Sequence, residues 1–144
     1  METLQEIMKK VLADTFALYL KAHNYHWNVE GSNFPQYHEF FGNLYEELHG
    51  AVDPIAEQIR SLDTYAPGSF TRFMELSEIE DETSVPAGVE MARRLMTDNE
   101  RVLATLNVAF KLANQFDKQG LADFLAGRID THSKHQWMLR SITK

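Results

Sequence analysis

Cysteine is absent from all 144 residues, which removes disulfides, thiolate metal sites and cysteine nucleophiles at once. Helix breakers are scarce too. The 7 glycines and 4 prolines fall in clusters and leave long uninterrupted stretches, a distribution that favours helices. No apolar run approaches the ~20 residues needed to span a bilayer. The first ten residues carry early acids and no apolar block, so no signal peptide is expected and the chain reads as cytoplasmic. Positive charge is in deficit. Lys and Arg number 14 against 21 Asp and Glu, and the net charge of -7 makes a phosphate backbone a poor partner and cations good ones. What remains, 44% hydrophobic and 24% charged, is the composition of one soluble domain over residues 1–144. At this length folding hides roughly two-thirds of the unfolded surface, enough for a single core without staples.

Four long helices are legible from apolar spacing. The first runs from Leu4 to about Trp27 on Leu4, Ile7, Met8, Val11, Leu12, Leu18 and Tyr19. Turn-forming residues from Glu30 to Pro35 break it. The second, from about Gln36 to Leu62, has the cleanest period: Tyr37, Phe41, Leu44, Leu48, Val52, Ile55, Ile59, Leu62. Pro54 predicts a kink and not an end, because the period continues in register across it. The pattern lapses from Asp63 to Pro86, with room for a short helix over about Ser69 to Leu76. A third helix spans about Ala87 to Phe116, and after the turn at Asp117–Gly120 a fourth continues on Leu121, Phe124, Leu125, Ile129, Leu139 and Ile142. Two short connections and one long one predict an all-α, ferritin-like four-helix bundle whose long crossover, carrying a short helix, joins helices two and three.

The chemistry is sought among polar residues that repeat at helical spacing. On helix two, at about 100° per residue, His38, His49 and Asp53 fall within roughly 60° of one another, with Glu57 about 40° further on. The apolar set centres about 130° away. With the apolar stripe turned to the core, the imidazoles and carboxylates look sideways, onto a solvated face or a neighbouring subunit. Asp53 and Glu57 alone read as ordinary surface acids, and His26, ending helix one, as a capping residue. Taken together, the imidazoles and carboxylates suit Fe(II), Mn(II) or Zn(II).

The segment AHNYHWNVEGSNFPQYHEFFGNLYEELHGAVDPIAEQIRSLD, Ala22 to Asp63, and the ending HQWMLRS resemble the Dps-type mini-ferritins of the ferritin-like superfamily. Over nearly the whole chain the resemblance implies a ferroxidase with iron as its metal, zinc or manganese being alternatives at the same site. It also implies a homo-oligomer built from two-fold dimers, a dodecamer, that oxidises Fe(II) with hydrogen peroxide or dioxygen, stores ferric mineral and protects against oxidative damage. The family motif His-x11-His-x3-Asp-x10-Asp-x3-Glu carries over as metal and catalytic residues His26, His38, Asp53 and Glu57, histidines from one subunit and acids from the next. Where the motif has its first Asp this chain has Gly42, which offers no ligand. His49 and Glu46 are weaker candidates to compensate. Asp117 and Asp123 resemble the family's pore acids, and Trp27 and Trp137 match tryptophans near its site.

Two other readings stay open. Gly42 is compatible with a shell-forming or metal-binding relative whose ferroxidase site is degenerate. Glu46-x-x-His49 is a single copy of the signature that intramolecular di-iron oxidoreductases use twice. His132 and His135 read as a surface or subunit-contact pair. DNA binding is not expected, because Lys9 and Lys10 lie inside helix one and the net charge is negative.

Overall fold

The computed structural model describes residues 3–144 as five helices. They are α1 (Leu4–Asn28), α2 (Phe34–Ser61), α3 (Phe70–Leu76), α4 (Gly88–Gln115) and α5 (Gln119–Ile142). Met1 and Glu2 lie outside the described residues.

The ends follow from local chemistry. Thr3 opens α1 with a capping box, its hydroxyl accepting from the Glu6 N–H while the Glu6 carboxylate accepts from the Thr3 N–H. Helix α2 starts at Phe34, two residues before the apolar period suggests, because Pro35 falls in the first turn, where its missing N–H is no loss. Pro54 does not end α2, which continues to Ser61. The chain leaves α2 and α4 through Asp63 (φ 61°) and Asp117 (φ 57°), a left-handed conformation that aspartate tolerates better than most residues. Ser69 caps α3 by accepting from the Arg72 N–H. Helix α5 begins at Gln119, ahead of the first apolar residue, Leu121.

Apolar stripes on the four long helices meet in one core that includes Met8, Leu12, Leu18, Phe41, Leu48, Ile55, Met91, Leu95, Leu106 and Leu125. Short loops make α1–α2 and α4–α5 antiparallel hairpins. Helices α1 and α4 are also antiparallel, since Asp14 pairs with Thr105 and Lys21 with Asp98. It follows that α2 and α4 run parallel, so the connection between them must travel the length of the bundle.

That crossover is fastened to one face of α1. Asp14 Oδ1 accepts from the Ser77 hydroxyl at 2.9 Å and the Glu78 N–H at 2.8 Å. Lys21 donates to the Glu80 carbonyl at 3.0 Å and pairs with Asp98 at 2.8 Å. Tyr25 donates its hydroxyl proton to Glu82 at 2.6 Å, and Arg94 reaches the same carboxylate at 2.7 Å. Burial opposes ionisation of Glu82, but hydrogen bonds from Tyr25, Ser84 and Arg94 outweigh it and hold the carboxyl at about 2.

A buried polar network ties α2, α4 and α5 together, and here the sequence reading is corrected. His132 is fully buried, not a surface residue. Its Nδ1–H donates to Asn99 Oδ1 at 2.7 Å and its Nε2 accepts from Arg128 at 3.0 Å. His135 is mostly buried and bonds Glu47 at 2.8 Å. Desolvation first, then the charge of Arg128, keeps the His132 pKa well below 6.5. The unfolded chain therefore takes up a proton that the folded one refuses, so stability rises with pH and falls as pH drops below about 6.5. Urea unfolding across that range should show the slope, and His132→Gln should flatten it. An unchanged slope in the variant would place the acid sensitivity elsewhere.

Candidate metal centre at the α1–α2 corner

His26 lies in the last turn of α1 and His38 in the second turn of α2, and the short loop between these helices folds the two imidazoles together. The rings stack with centroids 3.8 Å apart and planes 16° from parallel. Each ring nitrogen Nδ1 sits 2.7 Å from the other residue's backbone carbonyl. A carbonyl only accepts, so both histidines carry their proton on Nδ1. One of these bonds also satisfies a carbonyl left unpaired at the C-terminus of α1. The consequence is chemical. Each imidazole keeps a bare Nε2 lone pair, the form in which histidine ligates a metal, with its tautomer and orientation fixed by backbone.

Gly42 explains how the rings come so close to α2. A Cβ built there would lie 3.0 Å from both Cε1 and Nδ1 of His26. Glycine inside a helix costs on the order of 1 kcal/mol relative to alanine, and at this position it makes room for the His26 ring. A carboxylate at position 42 would require that ring to give way. The missing ligand and the tight clamp are thus one structural choice.

The acids stand elsewhere on the same chain. Asp53 and Glu57 are exposed, one turn apart on α2, and no neighbour from their own chain covers them. A hydrogen bond donated by the protonated Glu57 to Asp53, and then the Asp53 charge, push the Glu57 pKa above the ordinary carboxylate value. A cation would relieve the repulsion between the two carboxylates. At ~1.5 Å rise per residue, the fifteen residues from His38 to Asp53 amount to about 22 Å along the helix. One chain cannot close these groups around one ion, and among the described residues no three His, Asp or Glu side chains converge as a metal cluster.

The remaining candidates are scattered. His49 is exposed with its ring 4.8 Å from that of Tyr19, and Glu46 is exposed on the same helix. Both stand on the surface, whereas the half-buried Glu47 between them pairs with Arg128 of α5. Asp117 and Asp123 are exposed around the α4–α5 turn. Trp27 and Trp137 are 58% and 53% exposed, too open for core fillers. Residues to which the sequence reading gave no site role are His23, Tyr45 and Tyr19, the last counted only in the apolar period of α1. They line the α1–α2 groove next to His26, and the His23 ring lies flat on Tyr45 at 3.7 Å. The signal was present: Tyr19, His23 and His26 recur at spacings of four and three on one helix face.

An apolar cleft of about 630 Å³ opens on the far side of α1, between it and the crossover. Phe16, Leu20, Trp27, Phe70, Phe73 and Met74 line it. Phe70 and Met74 are 76% and 77% exposed, an unusual load of bare hydrophobic surface for one short helix. No helix among the described residues is long and apolar enough to cross a membrane.

Comparison with known proteins agrees with this architecture. The family model for a ferritin-like domain matches residues 5–144. DNA protection during starvation protein 2 of Bacillus anthracis is 32% identical over 136 residues, covering 94% of this chain and 93% of its own. The crystal structure of a Dps protein from Bacillus brevis superposes with a TM-score of 0.93 at 30% identity, over the whole of both chains. A Dps protein from Vibrio cholerae, described as a member of a superfamily of ferritin-like diiron-carboxylate proteins, gives a TM-score of 0.94 at 25% identity. That match covers 98% of this chain and 89% of the other.

Proposed function

The chain belongs to the Dps-type mini-ferritins of the ferritin-like superfamily, and from that premise we propose that it oxidises Fe(II) at a site shared between two subunits. The observation that carries the reading is the His26–His38 clamp, which fixes two bare Nε2 lone pairs without a carboxylate of their own chain beside them. Asp53 and Glu57 of a second copy supply the missing oxygens. Exposed and one turn apart, they offer Fe(II) two neighbouring negative charges. Carboxylates favour Fe(III) over Fe(II), which lowers the potential and drives electrons to the oxidant. The oxidant is hydrogen peroxide or, more slowly, dioxygen. The ferric product is stored as mineral inside a hollow shell of twelve subunits, which removes both reagents of oxidative damage. Zinc or manganese occupies the same ligands in place of iron.

Several features support an assembly. The exposed apolar face of α1 and α3 needs cover, the candidate ligands of one chain stand too far apart, and the B. brevis and V. cholerae relatives are Dps proteins. Asp117 and Asp123, beside the α4–α5 turn, are the acids we assign to cation entry. DNA protection in the name of the B. anthracis relative does not carry over as direct binding, given a net charge of -7 and lysines 9 and 10 inside a helix. A cytoplasmic location fits this chemistry.

The deciding experiment adds Fe(II) anaerobically to the assembled protein and then peroxide, following ferric absorbance and particle size. Fast oxidation with growth of a protein-enclosed mineral is expected, and Asp53→Ala should slow the fast phase by about 100-fold, the upper end of what removing a group merely behind a metal ligand costs. A variant as fast as the unmodified protein would refute the assignment.

A further inference from the structure

The proline inside α2 leaves one backbone oxygen without its helical partner, and that oxygen lies among the acids assigned to iron. Pro54 carries no N–H, so the Gly50 carbonyl, which the N–H four residues on would normally bond, receives nothing from it. The pyrrolidine ring also crowds that carbonyl and turns it off the helix axis. Gly50 and Pro54 are both exposed, so the freed oxygen opens on the outer side of α2 and not into the core. The glycine is a second oddity. A Cβ built at Gly50 would meet nothing within 4 Å, so no close approach inside this chain calls for the residue, although glycine weakens a helix interior.

The rest of that face is acidic. At about 100° per residue, Gly50, Asp53 and Glu57 fall within roughly 60° of one another. Helical side chains lean toward the N-terminus, so Asp53 reaches back over the turn that holds the Gly50 carbonyl, and Glu57 reaches back over Asp53. The second of these approaches is close enough for a protonated Glu57 to donate a hydrogen bond to Asp53. Three oxygen groups therefore follow one another along the helix, two of them carboxylates and one a neutral carbonyl released from the ladder. We propose that the Gly50 carbonyl is a further ligand of the shared iron site, contributed by the same subunit as Asp53 and Glu57. This inference rests on the iron-oxidation reading and deepens it.

The assignment gives Gly42 a counterpart. One glycine withholds a carboxylate in order to seat His26, and another returns an oxygen from the facing subunit. The bareness of Gly50 has the same logic, because a side chain there would crowd the path by which a second copy's clamp approaches Asp53. The added oxygen also sets metal preference. Zn(II) is satisfied by four ligands, which the imidazoles and carboxylates already supply. Fe(II) and Mn(II) take more ligands, and carbonyl oxygen suits Mn(II) especially. The carbonyl therefore counts for iron and manganese and not for zinc.

Pro54→Ala tests this without altering any side chain of the site. The new N–H takes the Gly50 carbonyl back into the helix, and α2 should gain stability from losing its proline. Mn(II) binding to the assembled protein, read from loss of the free-ion paramagnetic resonance signal, should weaken about ten-fold, the lower end of what removing a group behind a metal ligand costs. Anaerobic Fe(II) binding should weaken with it, while Zn(II) affinity should hold. Protein grown on glycine carrying heavy carbon at its carbonyl gives a direct readout. One labelled infrared band should move to lower frequency when Mn(II) is added, and that movement should be missing in Pro54→Ala. A variant that binds Mn(II) as tightly as the unmodified protein, or a labelled band that stays in place as Mn(II) binds, would overturn the role of Gly50 and leave the iron site standing. Equal losses of Mn(II) and Zn(II) would overturn it too, since straightening α2 would then have displaced the acids. An unmodified protein that binds neither Fe(II) nor Mn(II) would overturn the iron-site reading, and the role of Gly50 with it.

Discussion

Mixing His26→Ala subunits with Asp53→Ala subunits should restore an iron oxidation that neither variant performs alone. In a two-fold dimer whose sites each take histidines from one protomer and acids from the other, either variant by itself spoils both sites. A mixed dimer behaves differently. One of its sites combines both defects, and the other combines the intact histidines of the Asp53→Ala protomer with the intact acids of the His26→Ala protomer. Random reassortment of equal amounts makes half the dimers mixed, so about a quarter of the original activity should return. A site contained in one chain has no route to such recovery, because every chain in the mixture is defective. The geometry favours the shared arrangement, since His38 and Asp53 sit about 22 Å apart along one unbroken helix. The measurement is the initial rate of ferric absorbance after unfolding, mixing and reassembly, against each variant carried through the same treatment. A mixture no faster than the better single variant would place all the ligands on one subunit.

The four long helices and the crossover were legible because apolar periodicity reports directly on which face meets the core. The tautomers of His26 and His38 were not, since they depend on which carbonyls the inter-helix loop brings within 2.7 Å. Gly42 reads in the sequence only as a missing ligand. Its role as the surface on which His26 rests needs the neighbouring helix in place. His132 was legible in hindsight. It lies seven residues after Leu125 and seven before Leu139, both buried, and fills the gap in the apolar period of α5. A polar side chain at an inward position is ambiguous until its partners are known, and those of His132 come from α4 and from the preceding turn of α5. Glu47 was masked in the same way. Attention to Glu46-x-x-His49 picks out two residues that face outward, while Glu47, three residues after Leu44 and four before Ala51, points inward.

Glu47 is where the largest loss of stability is expected. Its carboxylate takes both terminal nitrogens of Arg128 and the Nε2–H of His135, joining α2 to α5. Burial alone would raise its pKa, but the bonds from His135 and Arg128 prevail and hold it at about 2. The Arg128 guanidinium is nearly buried, and its Nε already lacks a partner among the described residues. Glu47→Ala would therefore leave a cation in the core with its counter-charge gone, at a cost of about 3–5 kcal/mol. Replacing both ends with apolar residues should behave differently. Glu47→Leu with Arg128→Leu removes the stranded charge along with its partner, and should recover most of the loss. The sign with pH follows from the depressed carboxyl. The ion pair contributes fully above the unfolded value of 4.5 and fades as pH falls toward 2, so the gap between Glu47→Ala and the unmodified protein should narrow through that interval. Denaturant midpoints of the single and double variants, taken at neutral pH and again in acid, carry the test. A Glu47→Ala protein as stable as the original at neutral pH would mean that water, rather than Glu47, neutralises Arg128.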